Sequence, residues 1–123
     1  MRRDDAALLD ASRAATLAIE FLGTANLETL EGDLKTQSAV LHQLLVLGEA
    51  IKRVSAYARA AHPEVPWRRI AGMRDVLIHA YDEVDLAAVR STVRDDLPAL
   101  LAQLRSMVPA APNGGGPGTP SVT

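Results

Sequence analysis

Between residues 34 and 61 the apolar side chains Val40, Leu44, Leu47, Ile51, Val54 and Ala58 recur four and three apart. This spacing puts all six on one side of an α-helix, whereas the two-residue period of a strand would scatter them across both faces. Leu41 and Leu45 widen the stripe. A long helix with so broad an apolar face needs neighbours on more than one side. The segment is therefore expected to be the central helix of an all-α bundle, flanked by two helices or by a partner chain.

The remaining segments supply those neighbours. Residues 4–22 carry Leu8, Ala11, Ala15, Ala18 and Leu22 on one stripe, with Asp4 and Asp5 at the positive end of the helix and Gly23 as its stop. Residues 24–33 are polar and read as a connection whose Asp33 caps the central helix. His62-Pro63-Glu64-Val65-Pro66 ends that helix, because each proline disfavours helical geometry in the residue before it. Pro66 then suits the first turn of a third helix. Its stripe is Ile70, Met73, Leu77 and Ala80, and it is expected to end near Tyr81. Asp82-Glu83-Val84-Asp85 reads as a loop with Asp85 capping a fourth helix over 86–107. That helix faces inward through Leu86, Val89, Val93, Leu97, Leu100 and Leu104, and Pro98 is expected to kink it.

No strand alternation and no internal repeat is visible, so the reading is an up-and-down bundle of four to five helices over residues 1–108. The last 15 residues hold four of the eight glycines and four of the seven prolines. Residues 109–123 are accordingly expected to form a disordered tail.

Composition narrows the chemistry. With 3% aromatic residues the core has to be aliphatic, and with no cysteine there is neither a thiolate nucleophile nor a thiolate metal site. No apolar run is long enough to span a membrane, and Met1-Arg2-Arg3-Asp4-Asp5 is not followed by the apolar stretch of a signal peptide, so a cytoplasmic protein is expected. The net charge of −2 conceals a basic segment: Lys52, Arg53, Arg59, Arg68, Arg69 and Arg74 against Glu64 alone give residues 52–74 a net +5, and the remainder −7. Such a segment is either a solvated helix face or an attractor of polyanions.

Of the three histidines, His42 sits beside the central stripe, where a structural role is expected, and His62 lies in the proline loop, where an exposed, inert one is. His79 has different company, in Arg74-Asp75-Val76-Leu77-Ile78-His79-Ala80-Tyr81. Histidine exchanges protons near neutral pH, and arginine matches the geometry and charge of a phosphate, so the set suits phosphodiester cleavage. On one straight helix Arg74 and Tyr81 would share a face roughly 10 Å apart, with His79 about 140° around from Arg74. The three then converge only if the helix distorts or ends near His79, or if two copies of the chain pool their residues; the second arrangement is preferred. Asp75, four residues before His79, would share its face and orient the imidazole, or form a surface ion pair of small value.

Arg74, four residues, His79, one residue and Tyr81 resemble the R-x4-H-x-Y element of the HepT-like toxins of the HEPN class (higher eukaryote and prokaryote nucleotide-binding). Gly48-Glu49-Ala50 followed by Lys52-Arg53 resembles the central helix of that family. Pro66-Trp67, Ile70 and Met73-Arg74-Asp75 resemble the approach to its active element, and Asp96-Leu97-Pro98 with Leu100 its last helix. The likeness covers roughly residues 4–107.

The resemblance implies a homodimer in which two such elements share a cleft, and a metal-independent endoribonuclease acting on cellular RNA. Arg74 and His79 would be its catalytic pair, with Asp75 counted in the site. The chain would need no cofactor of its own. The resemblance also implies a partner, a minimal nucleotidyltransferase antitoxin that uses ATP and magnesium to place AMP on Tyr81. Arg68, Arg69, Lys52 and Arg53 would follow the RNA backbone. The alternative within the class is a non-catalytic module that presents nucleotide or protein to a nucleotidyltransferase. The chain departs from the family at Val89-Arg90, where a tryptophan is frequent, and at Asp82, where an aromatic residue is common; the first bears on the dimer or partner surface, the second on activity.

Overall fold

The computed structural model describes residues 3–79 and 83–108. The chain is an all-α bundle assembled on two long helices, α1 (Arg3–Leu22) and α3 (Leu34–Lys52). These two make the most extensive contact in the molecule, and α8 (Leu97–Met107) packs on α1 from another side. Ala11, Ala15 and Ala18 of α1 are fully buried, as are Val40, Leu47, Ala50 and Ile51 of α3. Small side chains on one helix allow the second to approach closely, which is how a chain almost without aromatic residues fills its core at ordinary density. Both apolar stripes expected of these helices face inward, with Leu41 half-buried and Leu45 at the rim.

The helix ends follow from local chemistry. Gly23 stops α1 in the left-handed conformation, φ 57°, and its N–H donates to the Ile19 carbonyl at 3.0 Å. Asp33 caps α3 by accepting from the Thr36 N–H at 3.0 Å and the Thr36 hydroxyl at 2.7 Å. Asp85 caps α7 (Leu86–Ser91) by accepting from the Ala88 N–H at 3.0 Å.

Four expectations need correction. Residues 24–33 are not a plain connection: Asn26 caps a short helix, α2 (Leu27–Glu31), whose Leu30 is buried. The central helix does not run unbroken to residue 61. It ends at Lys52, and Ser55 caps a separate α4 (Ala56–Ala61), its hydroxyl accepting from Ala58 N–H at 3.1 Å. Asp4 of α1 holds the break open by accepting from both the N–H and the hydroxyl of Ser55, at 2.8 and 2.7 Å. Arg59 covers the carbonyls α3 leaves behind, donating to Ile51 at 2.9 Å and Val54 at 3.2 Å. The apolar spacing continues across the break because Val54 and Ala58 still face the core.

The third helix is likewise two pieces, α5 (Trp67–Ala71) and α6 (Met73–Leu77), divided at Gly72. It ends at Leu77 rather than near Tyr81. Ile78–His79 (β1) instead pairs antiparallel with Glu83–Val84 (β2), in the register Ile78 to Val84 and His79 to Glu83. This small ladder is the one place where the bundle is not helical among the ordered elements described. Finally, Pro98 produces more than a kink. Residues Thr92–Asp96 form a π-helical turn, and the Leu97 N–H reaches back five residues to Thr92. Proline lacks the N–H that the Arg94 carbonyl would receive in an α-helix, so the wider turn leads into α8 without that bond. Val93, Leu97, Leu100 and Leu104 all remain buried. The expected tail, 109–123, lies outside the described residues, and so does Tyr81.

Candidate functional site

α6 is a short helix delivered to the surface of the bundle by two breaks, Pro66 before α5 and Gly72 before α6 itself. Trp67 anchors the start of this segment. Its ring is buried, and its indole N–H donates to the carbonyls of His62 at 2.9 Å and Arg59 at 3.1 Å. Ile70, Met73 and Leu77 fix the inner side. The far end is held by the ladder and by the Asp85 N–H, which donates to the Leu77 carbonyl at 3.0 Å.

Arg74 therefore occupies the second position of α6, and His79 the second position of β1, in a different element. The shared helix face expected for Asp75 and His79 does not exist, because the helix stops two residues before the histidine. The backbone turns between the arginine and the histidine instead. This is the first of the arrangements the spacing allowed, a helix that ends near His79.

Asp75 is exposed and lies on the side of α6 that faces α3. There Leu45, Gly48, Glu49 and Lys52 of α3, with Ala71 and Asp75, line a pocket of about 140 Å³. The Lys52 ammonium is 3.9 Å from the Glu49 carboxylate, and both side chains are more than half exposed. On the opposite side Met73 and Leu77 border an apolar groove of about 280 Å³ against Leu97 and Leu100. An ion pair at 3.2 Å between Arg69 and Asp96 lies along its edge.

Among the described side chains the basic segment is not one continuous patch. Arg59 is engaged by carbonyls, Arg69 by Asp96, and Arg53 by Asp10 at 3.0 Å. Arg68 is exposed on α5. Of the four cations expected to follow RNA, Lys52 alone shares a pocket with Asp75 among the pockets described. His42, for which a structural role was expected, is exposed on α3. His62 is half-buried: its carbonyl receives the Trp67 indole, and its Nδ1 lies 3.5 Å from the Glu64 carboxylate.

Glu49, present in the sequence reading only as part of a family-like string, lines the pocket beside Asp75. Among the described residues no three His, Cys, Asp or Glu side chains gather as a metal site, and no helix is long and apolar enough to cross a membrane.

Comparison with known proteins finds matches along most of the chain. The model of the family described as ribonuclease HepT-like matches residues 11–107. A protein of Thermococcus cleftensis named "Probable ribonuclease HepT" is 40% identical over 100 residues, 81% of this chain and 91% of the relative. "Putative RNase MJ1380" of Methanocaldococcus jannaschii is 30% identical over 100 residues, 80% of this chain and 92% of the relative. No solved structure matches the chain.

Proposed function

Since the chain belongs to the HepT-like ribonuclease family, we propose that it is the toxin of a toxin–antitoxin pair, a metal-independent endoribonuclease built on Arg74 and His79. The observation that carries this reading is the break at Leu77. It sets the arginine on a helix and the histidine on the strand that follows, in two elements rather than on one helix face. In that mechanism the 2′-hydroxyl of the ribose attacks the adjacent phosphorus while His79 takes up or delivers a proton. The bond to the 5′-oxygen breaks, and that oxygen leaves with a proton. Arg74 holds the phosphate and offsets the negative charge that grows on its oxygens. Asp75 belongs to the site as the polar residue after the arginine, on the side of α6 that faces α3.

The same reading includes a homodimer that brings two such elements to one cleft, and control by a minimal nucleotidyltransferase that attaches AMP to Tyr81. A bulky anion at that position would repel RNA and occupy the cleft. The chain itself would use no cofactor, the ATP and magnesium belonging to the partner.

The test is cleavage of total RNA by the purified protein in the presence of a chelator, beside His79→Ala. Wild type is expected to cut, with the variant slower by about two to four orders of magnitude, the range a positioned acid or base supplies. A folded wild type with unmodified Tyr81 that leaves RNA intact would favour the non-catalytic binding module. Mass in solution at micromolar concentration should be that of two chains; a strict monomer would remove the shared cleft.

A further inference from the structure

We propose that the outward face of α3 is the surface on which two copies of this chain pair antiparallel, with the twofold axis at His42; this rests on the homodimer reading above and names the surface that makes the dimer. Within one chain, α1 covers one flank of α3, and α5 with α6 covers another. The face left over carries Leu34, 76% exposed, and Leu45, 39% exposed, with half-buried Leu41 between them. Leu34, Leu41 and Leu45 are seven and four residues apart, so they form one line along the helix. The central helix is thus apolar on a third side, where its own chain supplies no cover.

The charges beside that line say what covers it. Lys35 and Glu49 are exposed, opposite in sign and 14 residues apart. That separation is close to four helical turns, so the two share a face roughly 21 Å apart. His42, also exposed, lies seven residues from each. A helix with this order of charges is complementary to its own reverse. About a twofold axis at residue 42, Lys35 of one copy meets Glu49 of the other, and the contact occurs twice, as an isologous interface requires. Leu45 then stands opposite the small side chains of Ser38 and Ala39, and the two copies of Leu41 flank the axis. A parallel pairing would instead set lysine against lysine and glutamate against glutamate.

Lys52 of the same copy stands 3.9 Å from Glu49, with both side chains more than half exposed. An open pair of this kind is weak, and it leaves Glu49 able to meet a second cation. Leu45 and Glu49 also line the pocket beside Asp75. Each copy therefore carries its Lys35 to the edge of the other's α6, and the two α6 helices border the same α3–α3 seam.

The test reads the dimer dissociation constant from mass in solution on dilution. Lys35→Glu and Glu49→Lys, each of which places like charges together twice, are expected to weaken the dimer by roughly tenfold or more. The double variant Lys35→Glu/Glu49→Lys should return close to wild type, which loss of the Glu49–Lys52 pair alone would not produce. The chain has no cysteine, so His42→Cys offers one thiol per copy, and it should be joined to its counterpart by a short bismaleimide. Arg13→Cys, on α1 beside Arg105 of α8, should not. A dimeric wild type whose double variant stays weak, or whose His42→Cys form does not cross-link, places the contact elsewhere and leaves the homodimer reading standing. A wild type that is monomeric at micromolar concentration overturns both.

Discussion

Asp33 shows how one side chain ties local structure to pH. The Thr36 hydroxyl and then the Thr36 N–H, both donating to its carboxylate, hold its pKa below the ordinary value of 3.8. A carboxyl group with a lowered folded pKa stabilises the protein above its unfolded pKa, and that contribution is lost as the pH falls from 3.8 through the folded value. An asparagine side chain in its place would cap the helix without titrating. Melting temperatures followed from neutral to acidic pH should therefore fall more steeply in wild type than in Asp33→Asn; parallel curves would show that the cap carries no such linkage. The same scale accounts for Arg90, one of the two residues, with Val89, where the family resemblance leads to the expectation of a tryptophan. Its Nε donates to the Ala25 carbonyl at 2.9 Å, joining α7 to the loop before α2. The departure thus has a structural use in this chain.

At the scale of the element, the breaks decide where chemistry can be placed. Ser55 divides α3 from α4, Gly72 divides α5 from α6, and the π turn divides α7 from α8. Ser55→Ala removes the cap of α4 and one of the two donors that Ser55 offers Asp4, and is expected to lower stability by about 1 kcal/mol, read as a shift in the denaturant midpoint. No change would mean that the Ser55 backbone alone maintains the break.

These divisions were also the least legible part of the sequence. Apolar spacing reports which side chains face the core, and Val54, Ala58, Val93 and Leu97 face it on both sides of their breaks. Spacing is blind to a change of helix that preserves the face. Asp33, Gly23 and Asp85, by contrast, announced their turns, because a cap is chemistry confined to a few neighbouring residues. The candidate site was legible in its residue types and their order. It was not legible in its geometry, since the pairing of Ile78–His79 with Glu83–Val84 carries no alternating pattern that a two-residue strand could display.

Across the whole molecule, the bundle stands on the contact between α1 and α3, and the buried face of α1 is mostly alanine, with Leu8 and Leu22. Ala15 on that face is fully buried. Replacing it with leucine adds volume at a helix–helix contact that has none to give, and Ala15→Leu is expected to cost about 1–3 kcal/mol or more, measured by equilibrium unfolding; a variant of wild-type stability would show that the helices separate without strain.

The segment bearing Arg74 and His79 contributes little to that foundation. It hangs from it by Trp67, three inward side chains and a ladder two residues long. Heredity would see this arrangement as a division of risk. A lesion in the alanine seam removes the protein altogether, and with it anything that binds the protein. With His79 in its proposed role, a lesion there is expected to leave a folded chain that has lost its reactivity and keeps its surfaces.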